Sequence, residues 1–206
     1  MSLTGMDVPQ ALFHPEAIAD PAGRLRGYTM FYAIVPDAGD AQRLALAAAG
    51  WRSVLGLHGK CLPADKLHIT LGDLGAFSQT LPQTQVDAAM AVAAQVRCPP
   101  LPIVFDRALS FGNLQAPRPT APFVLRGDAG SDQAVARLRK MLEAPCKRAG
   151  LKVRASTQPH MTMLYDTRVV AEQPIEPVQW TASRFALIVS HVGLGHHQWL
   201  GQWRLG

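Results

Sequence analysis

The chain is short of most features that mark a secreted, membrane-bound or disulfide-stapled protein. Its three cysteines, Cys61, Cys98 and Cys146, are scattered over 206 residues without a Cys-x-x-Cys. Such a set makes neither a disulfide framework nor a zinc knuckle, so a reduced, cytoplasmic location is expected. Charge is sparse, at 17% Asp, Glu, Lys and Arg. The longest stretch lacking those four, Phe185 to Trp203, holds Ser190, three histidines, two glutamines and three glycines. A bilayer penalises that content, so the stretch reads as strands and turns, and no membrane association is expected. The N-terminus lacks a basic segment leading into an apolar one, which argues against a signal peptide. No G-x-x-x-x-G-K-[ST], G-x-G-x-x-G or G-x-S-x-G occurs, which leaves P-loop, dinucleotide-fold and serine-hydrolase chemistry without support.

What is present suffices for a globular protein. Hydrophobic residues make up 48% of the chain, enough for a real core. The length suits one domain or one two-lobed unit. A net charge of +5 leans weakly towards an acidic partner, nucleic acid first. Residues 1–26 carry three prolines and little periodicity, and read as an N-terminal extension. The rest, 27–206, reads as a single bilobal domain.

Within it, Gly27–Val35 is an apolar, β-branched and aromatic run stopped by Pro36, hence a buried strand. Asp37 or Asp40 would cap a helix through Ala41–Ala49, ended by Gly50. Leu67–Leu74 reads as a strand and Pro82–Val96 as an Ala-rich helix. Strands near Ile103–Leu109 and Phe123–Arg126 flank a proline-rich loop, Asn113–Pro122. Ser131 would cap a helix over Asp132–Ala149 closed by Gly150, before strands at His160–Tyr165, Arg184–His191 and Gln198–Leu205. Each half thus delivers a helix and then a strand centred on His-x-Thr, as a diverged internal duplication would. The fold class expected is α+β: two pseudo-symmetric lobes, each an antiparallel sheet with helices outside, enclosing a central cleft.

The chemistry lies in those two segments, Lys66-Leu67-His68-Ile69-Thr70-Leu71 and Pro159-His160-Met161-Thr162-Met163-Leu164. Side chains alternate faces along a strand. Leu67, Ile69 and Leu71 therefore point into a core while His68 and Thr70 point out; Met161 and Met163 point in while His160 and Thr162 point out. With 7 His and 10 Thr in the chain, chance supplies about 0.3 such triplets. Two, with matched apolar flanks, are better explained by function. Side by side they aim two imidazoles and two hydroxyls at one volume suited to a phosphate, the hydroxyls holding its oxygens and the imidazoles moving protons.

On these residues the sequence resembles the 2H phosphoesterase superfamily, and within it the bacterial RNA 2′,3′-cyclic phosphodiesterases, historically called 2′-5′ RNA ligases. Its two H-x-T-x motifs are matched by His68–Leu71 and His160–Met163. The likeness extends to Met30–Pro36, Leu67–Gly75 and Phe185–Ser190. The resemblance implies hydrolysis of an RNA or nucleoside 2′,3′-cyclic phosphate to a 2′-phosphomonoester, with 2′-5′ joining as a minor reverse reaction. It makes His68 the proton donor, His160 the proton acceptor, and Thr70 and Thr162 phosphate-binding. No metal or cofactor is implied; the partners are RNA 3′ ends or nucleoside 2′,3′-cyclic phosphates, met by a monomer. The residues alone do not separate the two histidines' roles. Many members carry an arginine two residues beyond the second motif where this chain has Tyr165, so positive charge is expected from Arg154 or Arg168. A tyrosine common in the last strand is matched to Trp199, and a Trp-Leu pair to Phe123-Val124. The alternative is a module of the same fold that grips nucleotides or RNA ends without turning them over.

The other candidates are read more plainly. His191, His196 and His197 lack a carboxylate or cysteine partner and read as turn or strand-end residues rather than metal ligands. His14 and His58 stand alone. Arg137, Arg139, Lys140, Lys147 and Arg148 read as the solvated face of a helix. Phe31, Phe77, Phe123 and Trp199 are candidates for stacking on a base.

Overall fold

The computed structural model describes residues 23–112, 120–154 and 158–206. Most of the expected N-terminal extension, and the proline-rich loop as far as residue 119, lie outside the described residues. The elements run β1 (Gly27–Ile34), α1 (Ala38–Val54), a 3-10 turn (Ala64–Lys66), β2 (Ile69–Phe77), α2 (Gln83–Gln95), β3 (Leu101–Ser110), β4 (Ala121–Gly127), α3 (Ala129–Arg148), β5 (His160–Asp166), β6 (Gln173–Ala182), β7 (Arg184–Val192) and β8 (His196–Arg204).

The eight strands form one antiparallel sheet in the order β6-β3-β4-β5-β2-β1-β7-β8. The expected α+β class is what the chain adopts. Two four-stranded halves, β6-β3-β4-β5 and β2-β1-β7-β8, meet at a seam between β5 and β2, where the one registered pair among the described residues is Ile69↔Met161. A short bridge between Asp73 and Arg154 continues the contact. Gly72 makes this close approach feasible, since a Cβ there would lie 2.3 Å from Val153 Cγ1. The halves of the sheet are not the halves of the chain, because β7 and β8 return to flank β1.

One face of the sheet carries the main core. Met30, Tyr32, Ile34, Ile69, Leu71, Phe105, Phe123, Leu125, Met161 and Met163 pack there against Leu44 and Ala48 of α1, Val86, Ala89 and Val92 of α2, and Val135, Leu138 and Leu142 of α3. Burying each of the Val, Leu, Ile, Met and Phe side chains among them contributes roughly 1.5–3 kcal/mol. The opposite face bears a smaller apolar patch of Phe31, Ala33, Val35, Ala186 and Ile188.

Several boundaries differ from the sequence expectation. Asp37 caps α1 through Asp40 N, as one of the two candidates. The helix then continues through Gly50 to Val54, since a glycine in an exposed turn costs only about 1 kcal/mol and does not by itself stop a helix. Helix α3 is capped by Asp128, not Ser131: the Asp128 carboxylate accepts from Ser131 N at 2.7 Å. The buried Ser131 hydroxyl is used elsewhere, accepting from Val104 N at 2.7 Å and reaching Val104 O at 3.2 Å. Gly150 closes α3 with φ +72°, its N–H donating to Lys147 O. Strand β6 has no counterpart in the sequence reading. Pro174 and Pro177 mask it, yet it lies at the sheet edge, where proline is tolerated because half of the backbone N–H groups have no neighbouring strand to pair with.

Candidate active site

The two His-x-Thr segments flank the seam. Leu67, Ile69, Leu71, Met161 and Met163 are each at most 1% exposed, so the expected alternation holds and His68, Thr70, His160 and Thr162 stand on the face away from the helices. Both histidines are fixed in the same manner. His68 Nδ1 lies 2.7 Å from the carbonyl of Lys66, and His160 Nδ1 lies 2.9 Å from that of Gln158. A carbonyl only accepts, so each neutral ring carries its proton on Nδ1 and leaves Nε2 as the working nitrogen. The bond orients the ring through the residue two positions earlier, as a strand with one-sided exposure allows.

Each ring also rests on a phenylalanine from a distant part of its half-sheet. His68 lies 5.1 Å from Phe31, centroid to centroid, and His160 lies 4.8 Å from Phe111, edge on. His68 precedes the Ile34↔Ile69 pair at one end of β1. His197 lies towards the other end, since it pairs with Ser190 and Ser190 with Thr29. Their rings are nevertheless 5.4 Å apart. Only a strongly coiled sheet brings such corners together, and β1–β2 carries two register shifts of the kind that increase coiling. The Lys66 ammonium donates to Gly195 O and ties this corner to the β7–β8 turn.

Burial sets the electrostatics. It pushes His68 below its ordinary 6.5, against the opposing pull of the Lys66 carbonyl, and the charge of His160 adds to the depression. His160 is likewise lowered, chiefly by burial, with Gln158 O opposing and Arg139 and Arg126 assisting. His197 is driven to about 4 by burial, with His68 and Lys66 contributing.

Arg139 does not lie on a solvated helix face. It reaches from α3 to β2, donating from Nε to Leu71 O at 3.0 Å and from Nη2 to Thr70 O at 2.8 Å. These carbonyls lie between the Ile69↔Met161 pair and the Asp73–Arg154 bridge, so the guanidinium secures β2 where the two half-sheets diverge. Arg126, on β4, is registered directly opposite His160. The two arginines expected to supply charge are Arg154 and Arg168. Arg154 extends the seam through its backbone, and Arg168 turns to Gly56 O at 3.5 Å, beyond the end of α1.

Of the stacking candidates, Phe123 is fully buried and Phe77 packs against the main core. Phe31 belongs to the open-face patch. Trp199, 39% exposed, pairs with Ile188 of that patch and so shares its face. Phe111 was not singled out by sequence, and His197 was read there only as a turn or strand-end residue. Both lie just outside a strand's apolar run, and only the coiling brings them to the motif. His191 is buried and bonds Gln198 through Nε2 at 3.1 Å, and no cluster of three or more potential metal ligands occurs among the described residues. The backbone N–H of His58 donates to the buried Asp166. No helix among the described residues is long and apolar enough to cross a membrane.

A family model described as the 2′-5′ RNA ligase superfamily matches residues 35–194. The structure is similar to that of Escherichia coli LigT in complex with 3′-AMP, at a TM-score of 0.65 and 23% identity over 87% of this chain and 98% of the other. LigT in complex with NADP+ gives 0.64 and 23% over the same shares. TT0787 of Thermus thermophilus gives 0.63 and 21%, over 86% of this chain and 97% of the other. Among curated proteins no sequence matches.

Proposed function

The chain belongs to the 2′-5′ RNA ligase superfamily, and on that premise we propose that it hydrolyses RNA or nucleoside 2′,3′-cyclic phosphates to 2′-phosphomonoesters. The observation that carries this reading is the matched pair of imidazoles. Both are held by Nδ1 on the carbonyl two residues back, both are followed by an outward threonine, and they flank one seam.

In the proposed reaction, His160 Nε2 takes a proton from a water as its oxygen attacks phosphorus. The bond from phosphorus to the 3′-oxygen breaks, and protonated His68 delivers its Nε2 proton to that oxygen. The products are a 2′-phosphomonoester and a free 3′-hydroxyl, and proton exchange with solvent resets both rings. Thr70 and Thr162 donate hydroxyl bonds to the non-bridging oxygens as charge builds. Two imidazoles that trade protons account for the chemistry without a metal in any step. The same groups run in reverse would join 2′-5′ ends. Complexes of the structurally similar LigT with 3′-AMP and NADP+ support a nucleotide-sized ligand.

Incubation with the four nucleoside 2′,3′-cyclic phosphates and a cyclic-phosphate-ended oligoribonucleotide, with and without EDTA, tests the reading. The expected result is 2′-phosphate product in both conditions. Tight binding of all five without turnover would point instead to a non-catalytic binding module.

A further inference from the structure

Resting on that reading, we propose that Arg126 is a substrate-contacting residue, gripping an anionic phosphate oxygen beside His160. Of the positive charge described so far, the Arg139 guanidinium is engaged on the Thr70 and Leu71 carbonyls. Two threonines are neutral, and both histidines are biased by burial towards their neutral forms. A phosphodiester turning into a more highly charged transition state needs a cation in reach.

Arg126 stands where that cation is needed. Residues registered directly opposite one another on antiparallel strands share a face, with Cβ atoms about 4.5–5.5 Å apart. Arg126↔His160 is such a pair, and Val124↔Thr162 is the next outward pair along the same strands. Phe123 and Leu125 point into the main core, so by alternation the Arg126 side chain leaves β4 on the open face, and its guanidinium turns at the strand's end to the first turn of α3. The other half-sheet has no such charge: Ala33 pairs with Thr70, and continuing that register sets the buried Val35 beside His68. The pseudo-symmetry therefore breaks at this residue, with an apolar neighbour for one histidine and a guanidinium for the other.

The guanidinium is held without being used up. Its Nη2 lies 3.3 Å from Asp132 Oδ2 at the start of α3, a single long contact rather than a two-pronged one. Arg126 Nε and Asp132 Oδ1 are both buried without a hydrogen-bond partner among the described residues. A side chain only 12% exposed has already lost most of its rotamer freedom. A planar fork fixed in this way suits two oxygens of one phosphate. The ligand class is accordingly a nucleoside or RNA-end phosphate bound with its anionic edge towards β4.

Calorimetric binding of 2′-AMP, with adenosine as the phosphate-free control, separates this role from a purely structural ion pair. Arg126→Gln should weaken 2′-AMP about ten- to hundredfold, the loss of one charge-assisted contact, and leave adenosine unchanged. Arg137→Gln, on an exposed part of α3, should stay within twofold. A folded Arg126→Gln protein that binds 2′-AMP as wild type overturns the proposal, as does wild type that does not bind 2′-AMP. Should that variant fail to fold, Arg126→Lys is read instead. A point charge does not replace the fork, so at least a threefold loss is expected and unchanged affinity overturns the assignment. Wild type that binds 2′-AMP through Arg126 yet hydrolyses no cyclic phosphate would leave the subsite standing and refute the reaction.

Discussion

A histidine able to act as acid and base works best with one nitrogen fixed, and His68 and His160 share that anchoring through Nδ1. Replacing either with alanine should lower kcat on a nucleoside 2′,3′-cyclic phosphate by about 10²–10⁴-fold. Steady-state assays of the two variants check this, and the circular dichroism spectrum should stay native. Both rings are lowered from 6.5, so the state with one proton shared between them is most populated below pH 6.5. The kcat/KM profile should accordingly be a bell centred on the acid side of that value; a maximum above pH 7.5 would contradict it. The four motif residues were legible in the sequence because a strand's period of two converts spacing directly into facing. Arg126 and Arg139 were not, because a basic residue near a strand's end or on a helix looks the same in sequence whether it meets water, a carbonyl or a neighbouring imidazole.

Among the elements, the weakest join is the seam, and Arg139 secures it. Arg139→Met removes the donors from the Thr70 and Leu71 carbonyls. Leaving such groups unpaired costs about 1–3 kcal/mol each where they are buried. Urea denaturation should show a loss of that order, and kcat should fall more than KM rises, because Thr70 loses its fixed backbone. Ser131 presents the complementary case. Ser131→Ala should cost about 1–2 kcal/mol through its Val104 bonds, with catalysis unchanged, since the α3 cap is Asp128 and remains. Sequence reading placed α3 and its closing glycine but mistook Ser131 for the cap, because Asp128 and Ser131 are both good cap residues three positions apart. It missed β6 altogether, since two prolines in ten residues argue against a strand unless the strand is known to lie at an edge.

For the molecule as a whole, coiling of the two half-sheets turns a flat strand register into a site. That coiling was illegible: a register implies neighbours across one strand, not contacts between corners as distant as His68 and His197. The buried imidazoles carry a stability consequence. His68, His160, His191 and His197 all bind protons more weakly than an exposed histidine, so the unfolded chain takes up more protons as pH falls. Their contribution is intact above pH 6.5 and is lost as pH falls through the folded values, about 4 for His197. The urea midpoint should drop between pH 6.5 and 4, and His197→Phe should flatten that drop. The central claim, that two anchored imidazoles across one seam open a cyclic phosphate, is tested most directly by product analysis. Adenosine 2′,3′-cyclic phosphate incubated with wild type should give 2′-AMP with no 3′-AMP, and none at all with the His68→Ala, His160→Ala double variant. Accumulation of 3′-AMP, or equal turnover by the double variant, would contradict the account.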